Sequence, residues 1–250
     1  MPPSNYAPRN DPFDGFLMVD KPAGLTSHDV VDRIRRHFHF RKVGHGGTLD
    51  PQATGLLVLL LGRGTRASDY LMTADKTYEG ALRLGITTDS QDADGKIVAQ
   101  ADTSGITPAQ LEAAMRKYIG DFYQTPPMVS AIKHKGVPLY KLARCGEEVP
   151  REPRLVHVYE FRLLQVALPS ASFVLRCTKG TYVRTICHDL GQDLGCGAHL
   201  AGLRRTVVGP FTIAQAKPLD ALLAMNTSEL LTSVILLHDL PSLRPASQPA

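Results

Sequence analysis

Six consecutive apolar residues, Leu56-Leu57-Val58-Leu59-Leu60-Leu61, constrain this chain more than any other segment. A strand without polar alternation offers apolar side chains to both of its faces. The run therefore predicts a central strand covered on both sides. It is far short of the ~20 residues that cross a bilayer as a helix. Around it, strand patterns mix with helical ones without regular β-α-β alternation. That order predicts an α+β fold, with a mixed, largely antiparallel sheet flanked by helices, over a doubly wound one. At 250 residues, 43% hydrophobic and 21% charged, the chain can bury a core without staples. The same figures exclude a disordered or disulfide-dense class.

Phe16–Val19 reads as a buried strand ended by Lys21-Pro22-Ala23-Gly24. Thr26 or Ser27 caps a helix through about Phe38, with Asp29 in its first turn. Strands are expected at Thr77–Ile86, Ile97–Ala101 and Met128–Ile132. Thr107-Pro108 opens a helix that Gly120 closes. Lys133–Arg154 is a basic excursion with a short helix near Leu139–Arg144, followed by an antiparallel pair at Leu155–Leu168 and Ser172–Thr178. Thr181–Leu194 is an amphipathic helix, Ala198–Val208 and Phe211–Ala214 are strands, and Leu219–Leu223 and Leu230–Leu237 are helical. Residues 1–14 lack an apolar core and read as a disordered leader, not a signal peptide. The stretch 218–250 reads as a short helical extension with a loose tail.

The net charge of +4 hides an uneven distribution. Three basic blocks, at 31–46, 130–165 and 166–217, carry +11 between them, and acidic stretches offset most of it. Separated basic blocks are the footprint of a polyanion binder, although solvated helix faces produce charge runs too.

Asp50 follows the glycine-rich stretch Gly44-His45-Gly46-Gly47-Thr48, precedes Pro51 and sits at the mouth of the apolar strand. Glycines let backbone approach a ligand, and such a loop presents a carboxylate at a sheet end. A turn Asp before Pro is also common, so local sequence leaves both readings standing. The loop is neither a P-loop nor a dinucleotide fingerprint. His37, His39 and His45 lack metal-ligand spacing, and Cys145, Cys177, Cys187 and Cys196 form no C-x-x-C pair; reduced thiols and no metal are expected. Arg184 stands at a helix start, where the dipole gives a cation nothing. It is expected to have another partner, a carboxylate or a phosphate.

Five segments in order carry a resemblance. Gly44–Pro51, continuing Ala53-Thr54-Gly55-Leu56-Leu57, looks like the catalytic motif of the TruB family of tRNA pseudouridine-55 synthases. Val19–Gly24 resembles that family's N-terminal motif, Asp75–Glu79 its tyrosine motif and Lys179–Thr185 its arginine motif. Leu194–Leu200 with Leu203-Arg204-Arg205 resembles its last core motif.

The resemblance implies an isomerase that flips the T-loop uridine, position 55, out of tRNA, breaks N1–C1′ and joins C5 to C1′. It implies Asp50 as nucleophile, Tyr78 as the tyrosine that stacks on the flipped base and assists proton removal at C5, and Arg184 as the partner of the catalytic carboxylate. It implies His45 as the filler of space left by extruded nucleotides, and Tyr182 and Leu203 as pocket residues. It assigns residues 15–217 to the catalytic domain, with an RNA-gripping insertion at about 131–154. It implies no cofactor, a cytoplasmic monomer, the T arm of tRNA as partner, and no membrane or required protein partner. Many bacterial members continue into a small C-terminal RNA-binding domain, which this reading finds lacking after 218–250. The alternatives are a non-catalytic tRNA-binding or folding protein on the same scaffold, and a synthase for another RNA.

Overall fold

A computed structural model describes residues 13–130 and 132–237. The loose tail expected from 238 lies outside them, as does all of the expected leader except Phe13 and Asp14. Those two are packed: Phe13 lies 4.9 Å from the Phe40 ring, and Asp14 is buried against Arg63.

In chain order the elements begin with β1 (Gly15–Lys21), α1 (Ser27–His37), β2 (Val43–His45) and β3 (Thr54–Leu61). A 3-10 turn (Gly62–Ala67) leads to α2 (Ser68–Thr73) and β4 (Lys76–Leu84). The hairpin β5 (Ile86–Thr88) and β6 (Ile97–Gln100) precedes α3 (Pro108–Arg116) and β7 (Gly120–Gln124). Short strands β8 (Lys133–His134) and β9 (Val137–Pro138) and helix α4 (Leu139–Arg144) form the basic excursion. Then come β10 (Arg154–Ala167), β11 (Ser170–Cys177), α5 (Val183–Asp193) and β12 (Ala198–Val208). The last are β13 (Phe211–Thr212), β14 (Lys217–Pro218), α6 (Leu219–Leu223), α7 (Thr227–Leu231) and β15 (Val234–Leu236).

Three sequence expectations are corrected. The helix opened by Thr107-Pro108 ends at Arg116, capped at Lys117, and Gly120 (φ +99°) instead starts β7. The strand expected at Met128–Ile132 is absent from its described residues; pairing stops at Gln124, and Pro126-Pro127 then remove two backbone donors. Leu230–Leu237 is a helix end followed by strand. The β-branched Val234-Ile235 joins β1, with Ile235 opposite Phe16.

The chain divides into two compact units, 1–74 with 208–250, and 75–207. In the first, β1 is central. It pairs antiparallel with β3 on one side (Phe16 opposite Leu60) and with β15 and, in parallel, β14 on the other. Strand β2 lies on β3 with His45 opposite Leu59. Every residue of β3 from Gly55 on is buried, and its side chains divide between two clusters, as its sequence requires. Leu57, Leu59 and Leu61 meet Val30, Val31 and Ile34 of α1, whereas Leu56, Val58 and Leu60 meet Phe16, Leu71 and Phe211. Helix α1 starts in a capping box in which the Thr26 hydroxyl accepts from the Asp29 amide at 3.0 Å.

The second unit orders its strands β12-β4-β11-β10-β7, with antiparallel pairing from β4 to β7. Helices α3 and α5 cover the face formed by Leu82, Val158, Phe161, Phe173 and Leu175. The parallel β1–β14 contact among antiparallel ones makes the sheet mixed, as the α+β reading expected.

Candidate active site

The turn that carries Asp50 is held from three directions within the first unit. Lys21, with no exposed surface, donates from Nζ to the carbonyls of Pro22 (2.9 Å), Leu25 (2.7 Å) and Pro51 (2.9 Å). The amide of Gly24 donates to the same Pro51 carbonyl at 2.9 Å. Ser27, at the first position of α1, accepts from the Leu49 amide (2.8 Å) and donates to the Leu49 carbonyl (3.2 Å). The Ala53 amide closes the turn onto the Asp50 carbonyl at 3.1 Å. Asp50 is half-buried, between a buried Leu49 and an exposed Pro51. A carboxylate on a loop this firmly tied is presented at a fixed point beside the buried strand β3.

The glycine-rich stretch is part strand, since Val43–His45 pairs with β3. His45 is half-buried, and its Nδ1 accepts from the Gly47 amide at 3.3 Å. Gly46 lies so close to α2 that a Cβ there would sit 2.8 Å from the Cβ of Leu71, so no larger residue fits without a shift.

In the second unit, Tyr182 caps the start of α5 without a side-chain hydrogen bond of its own. Gln124, at the end of β7 and 3% exposed, takes over. Its Oε1 accepts from the Tyr182 amide (2.8 Å), and its Nε2 donates to the Tyr182 carbonyl (3.1 Å). Arg184, expected to have a partner other than the helix dipole, is buried. It donates to the carbonyls of Ser90 (3.2 Å) and Val129 (3.0 Å) and forms an ion pair with Asp92 at 3.5 Å. The sequence expectation of a partner for Arg184 is met here by Asp92, a residue that reading did not single out. Thr185 reinforces the link with a hydrogen bond to the Gln91 side chain at 2.8 Å.

Tyr78, on β4 opposite Leu175, and Leu203, on β12, are half-buried against the same apolar cluster. Beside them are two buried cations. Arg205 is 1% exposed and hydrogen-bonded to Tyr78; burial pushes its guanidinium below its ordinary range, and the Tyr78 contact opposes that. Lys76 is buried too, and desolvation together with the nearby Arg205 charge lowers its ammonium to about 8. Asp50 and His45 thus belong to the first unit, and Tyr78, Tyr182, Arg184 and Leu203 to the second.

Lys21, Asp92, Gln124 and Arg205 are the residues that sequence reasoning missed. Strand alternation held a signal for one of them, because Arg205 shares a strand face with Leu203 and so points inward. In the basic excursion, Lys133, His134, Arg151 and Arg154 line a shallow cavity with Pro126 and Leu139. Among the described residues, no group of three or more His, Cys, Asp or Glu is placed to hold a metal ion, and the four cysteines are free. No described helix is long and apolar enough to cross a membrane.

Comparison with known proteins gives a consistent result. A family model described as TruB family pseudouridylate synthase (N terminal domain) matches residues 35–183. A second, described as tRNA pseudouridylate synthase B C-terminal domain, matches residues 184–240. The second match starts at Arg184, inside the stretch that the sequence assigns to the catalytic domain, and takes in most of the extension from 218. A tRNA pseudouridine synthase B of Opitutus terrae is 57% identical over 223 residues, covering 89% of this chain and 92% of that protein. The protein of the same name from Syntrophotalea carbinolica is 51% identical over 235 residues, covering 92% and 77%. Among solved structures, a chain of a Cbf5-Nop10-Gar1 complex superposes with a TM-score of 0.72 at 27% identity, covering 91% of this chain and 61% of that one. A chain of an H/ACA RNP bound to a substrate RNA containing 2′-deoxyuridine gives 0.67 at 26%, covering 89% and 59%. This chain therefore spans about three-fifths of those solved chains.

Proposed function

The chain belongs to the TruB family of pseudouridylate synthases, and from that membership we propose that it isomerises a tRNA uridine, position 55 of the T loop, with Asp50 as the nucleophile. The observation that carries the reading is the Asp50 turn. Three elements tie its backbone, and the carboxylate rides on that fixed frame beside a wholly buried strand. Such fixation suits a group that must meet one atom of a substrate in one geometry.

The chemistry balances without an oxidant or reductant. The N1–C1′ bond breaks, the base turns and C5 bonds to C1′. A proton leaves C5 and one is taken up at N1, so product and substrate have the same formula. Asp50 supplies the carboxylate that forms a transient bond to the substrate. The target base must leave its stack, and Tyr78 offers an aromatic face that offsets part of that loss. The Tyr78 oxygen accepts the C5 proton, and the C–H electron pair restores the C5–C6 double bond. Arg184 holds positive charge for the reacting groups and is itself fixed by Asp92. His45 fills space among the displaced nucleotides, and Tyr182 and Leu203 wall the base. The basic excursion at about 131–154 and the block at 31–46 contact phosphates. The enzyme acts as a cytoplasmic monomer.

Tritium release from tRNA labelled at uridine C5 tests this. Asp50→Asn is expected to bind tRNA within about threefold of the unchanged protein and to release no tritium above background, because no carboxylate remains to form the bond. Release at the unchanged rate would remove Asp50 from its role. Mapping the product to any site other than the T-loop uridine would overturn the substrate assignment.

A further inference from the structure

We propose that Arg205 is a positioning residue for Tyr78: a buried guanidinium that donates a hydrogen bond to the phenol oxygen, fixing the ring's angle and easing its ionisation. The inference rests on the reading of Tyr78 as the residue that meets the flipped base.

The first support is burial. Arg205 is 1% exposed, and it is the largest of the fully buried side chains among the described residues. A guanidinium taken out of water carries a penalty of several kcal/mol unless acceptors face it. Tyr78 supplies one from the neighbouring strand β4, and the Thr206 hydroxyl ties the same two strands by donating to the Thr77 carbonyl at 3.3 Å. A phenolate compensates a buried cation better than a neutral phenol does, because the hydrogen bond becomes charge-assisted at both ends.

The second support is the charge around the pair. Lys76 shares a face of β4 with Tyr78, is buried, and is close enough to Arg205 for the two charges to repel. Two cations at one patch favour negative charge on the oxygen that one of them holds. Among the described residues, Asp75 before β4, the Cys177 thiol on β11 and Lys179 after it also act on Lys76. Asp75 works against a phenolate and Lys179 for it.

The third support is the placement of Tyr78 itself. Its ring is half-buried on the apolar cluster with Leu203, so part of the side chain is held by the core and part stays accessible to a base. An enzyme that needs a base at C5 gains if the oxygen that takes the proton is already aimed and already easy to ionise.

Ultraviolet titration of tyrosinate isolates Tyr78 as the difference between the unchanged protein and Tyr78→Phe. Arg205→Gln is expected to raise the Tyr78 titration midpoint by about one unit or more, and Arg205→Lys by less. Single-turnover tritium release at pH 7 should fall about tenfold in Arg205→Gln, with partial recovery in Arg205→Lys and at higher pH. Binding of tRNA should stay within about threefold, since the guanidinium does not face the RNA. In a Tyr78→Phe background, Arg205→Gln should cost less than about threefold further. An unchanged Tyr78 midpoint in a folded Arg205 variant would overturn the proposal, as would an equal loss in the Tyr78→Phe background. If Arg205→Gln does not fold, the Arg205→Lys midpoint and rate decide alone. Full tritium release by Tyr78→Phe would instead overturn the reading of Tyr78, which separates the two failures.

Discussion

Lys21 shows how one side chain can carry a whole loop. A buried ammonium has three protons to place, and here three carbonyls receive them, one of which is Pro51 next to Asp50. The sequence marked Val19–Gly24 as a motif, but the burial of its lysine could not be read there, because lysine is almost never fully buried without such partners. Asp50 and Arg184 stood out locally, but their roles, and Tyr78 altogether, were nameable only because ordered motifs carried them; Asp92 and Gln124 act through contacts 92 and 58 residues away in sequence, which no local pattern encodes. Lys76 makes a prediction at this scale. Burial lowers its ammonium to about 8 in the folded protein, from an ordinary 10.5. Its charging therefore penalises the fold in full below pH 8, and the penalty disappears as pH rises from about 8 to 10.5. Across that window the unchanged protein is expected to gain stability relative to Lys76→Met, measured as the difference in urea midpoints. A difference that stays flat with pH would show that Lys76 is not destabilised in the folded state.

At the scale of elements, helix α5 is set at both ends by contacts rather than by its own propensity. Gln124 clamps the capping residue before its first turn, and near its end Gly191 packs directly on the start of β12. A Cβ at Gly191 would lie 2.1 Å from the Ala198 amide nitrogen, so backbone must move to admit it. Gly191→Ala should accordingly lower stability by roughly 1–3 kcal/mol, despite alanine's better helix propensity, as seen in a chemical denaturation midpoint. A neutral or stabilising effect would mean that helix and strand separate freely. The apolar stripe of α5 was legible because Val183, Ile186, Cys187 and Leu190 follow the helical period. The strand misread at Met128–Ile132 and the helix misread at Leu230–Leu237 are both short apolar runs, for which period alone does not separate the two states. Partners decided them: Ile235 found Phe16, whereas the run after Pro126-Pro127 found no ladder.

For the whole molecule, the fold class followed from the unbroken apolar run and the mixed element order, both of which survive in the structure. Charge was less legible, because the sequence cannot show how much of it is already paired. Arg35 and Arg36 of α1 both meet Asp32, Arg151 meets Glu148 and Arg162 meets Glu160. Exposed pairs of this kind are weak and exchange readily for phosphates. Binding of tRNA is therefore expected to weaken with salt, with a log–log slope of roughly −3 to −6, and reversing Lys133 and Arg154 to Glu should make it shallower by about 1–2. A slope near zero would show that the basic blocks do not meet the RNA.

The first unit is assembled from both ends of the chain, with residues 75–207 inserted between its halves. Strand β1 is made before its partners β14 and β15, which come some 200 residues later. The second unit is continuous and can complete itself during synthesis, while β1 waits with one edge unpaired. Long-range closure of this kind is slow and exposes a strand edge meanwhile. A nascent chain halted before Val208 would thus display the apolar ribbon Phe16-Leu17-Met18-Val19, making the interval before β14 and β15 emerge the time when this protein most needs a chaperone.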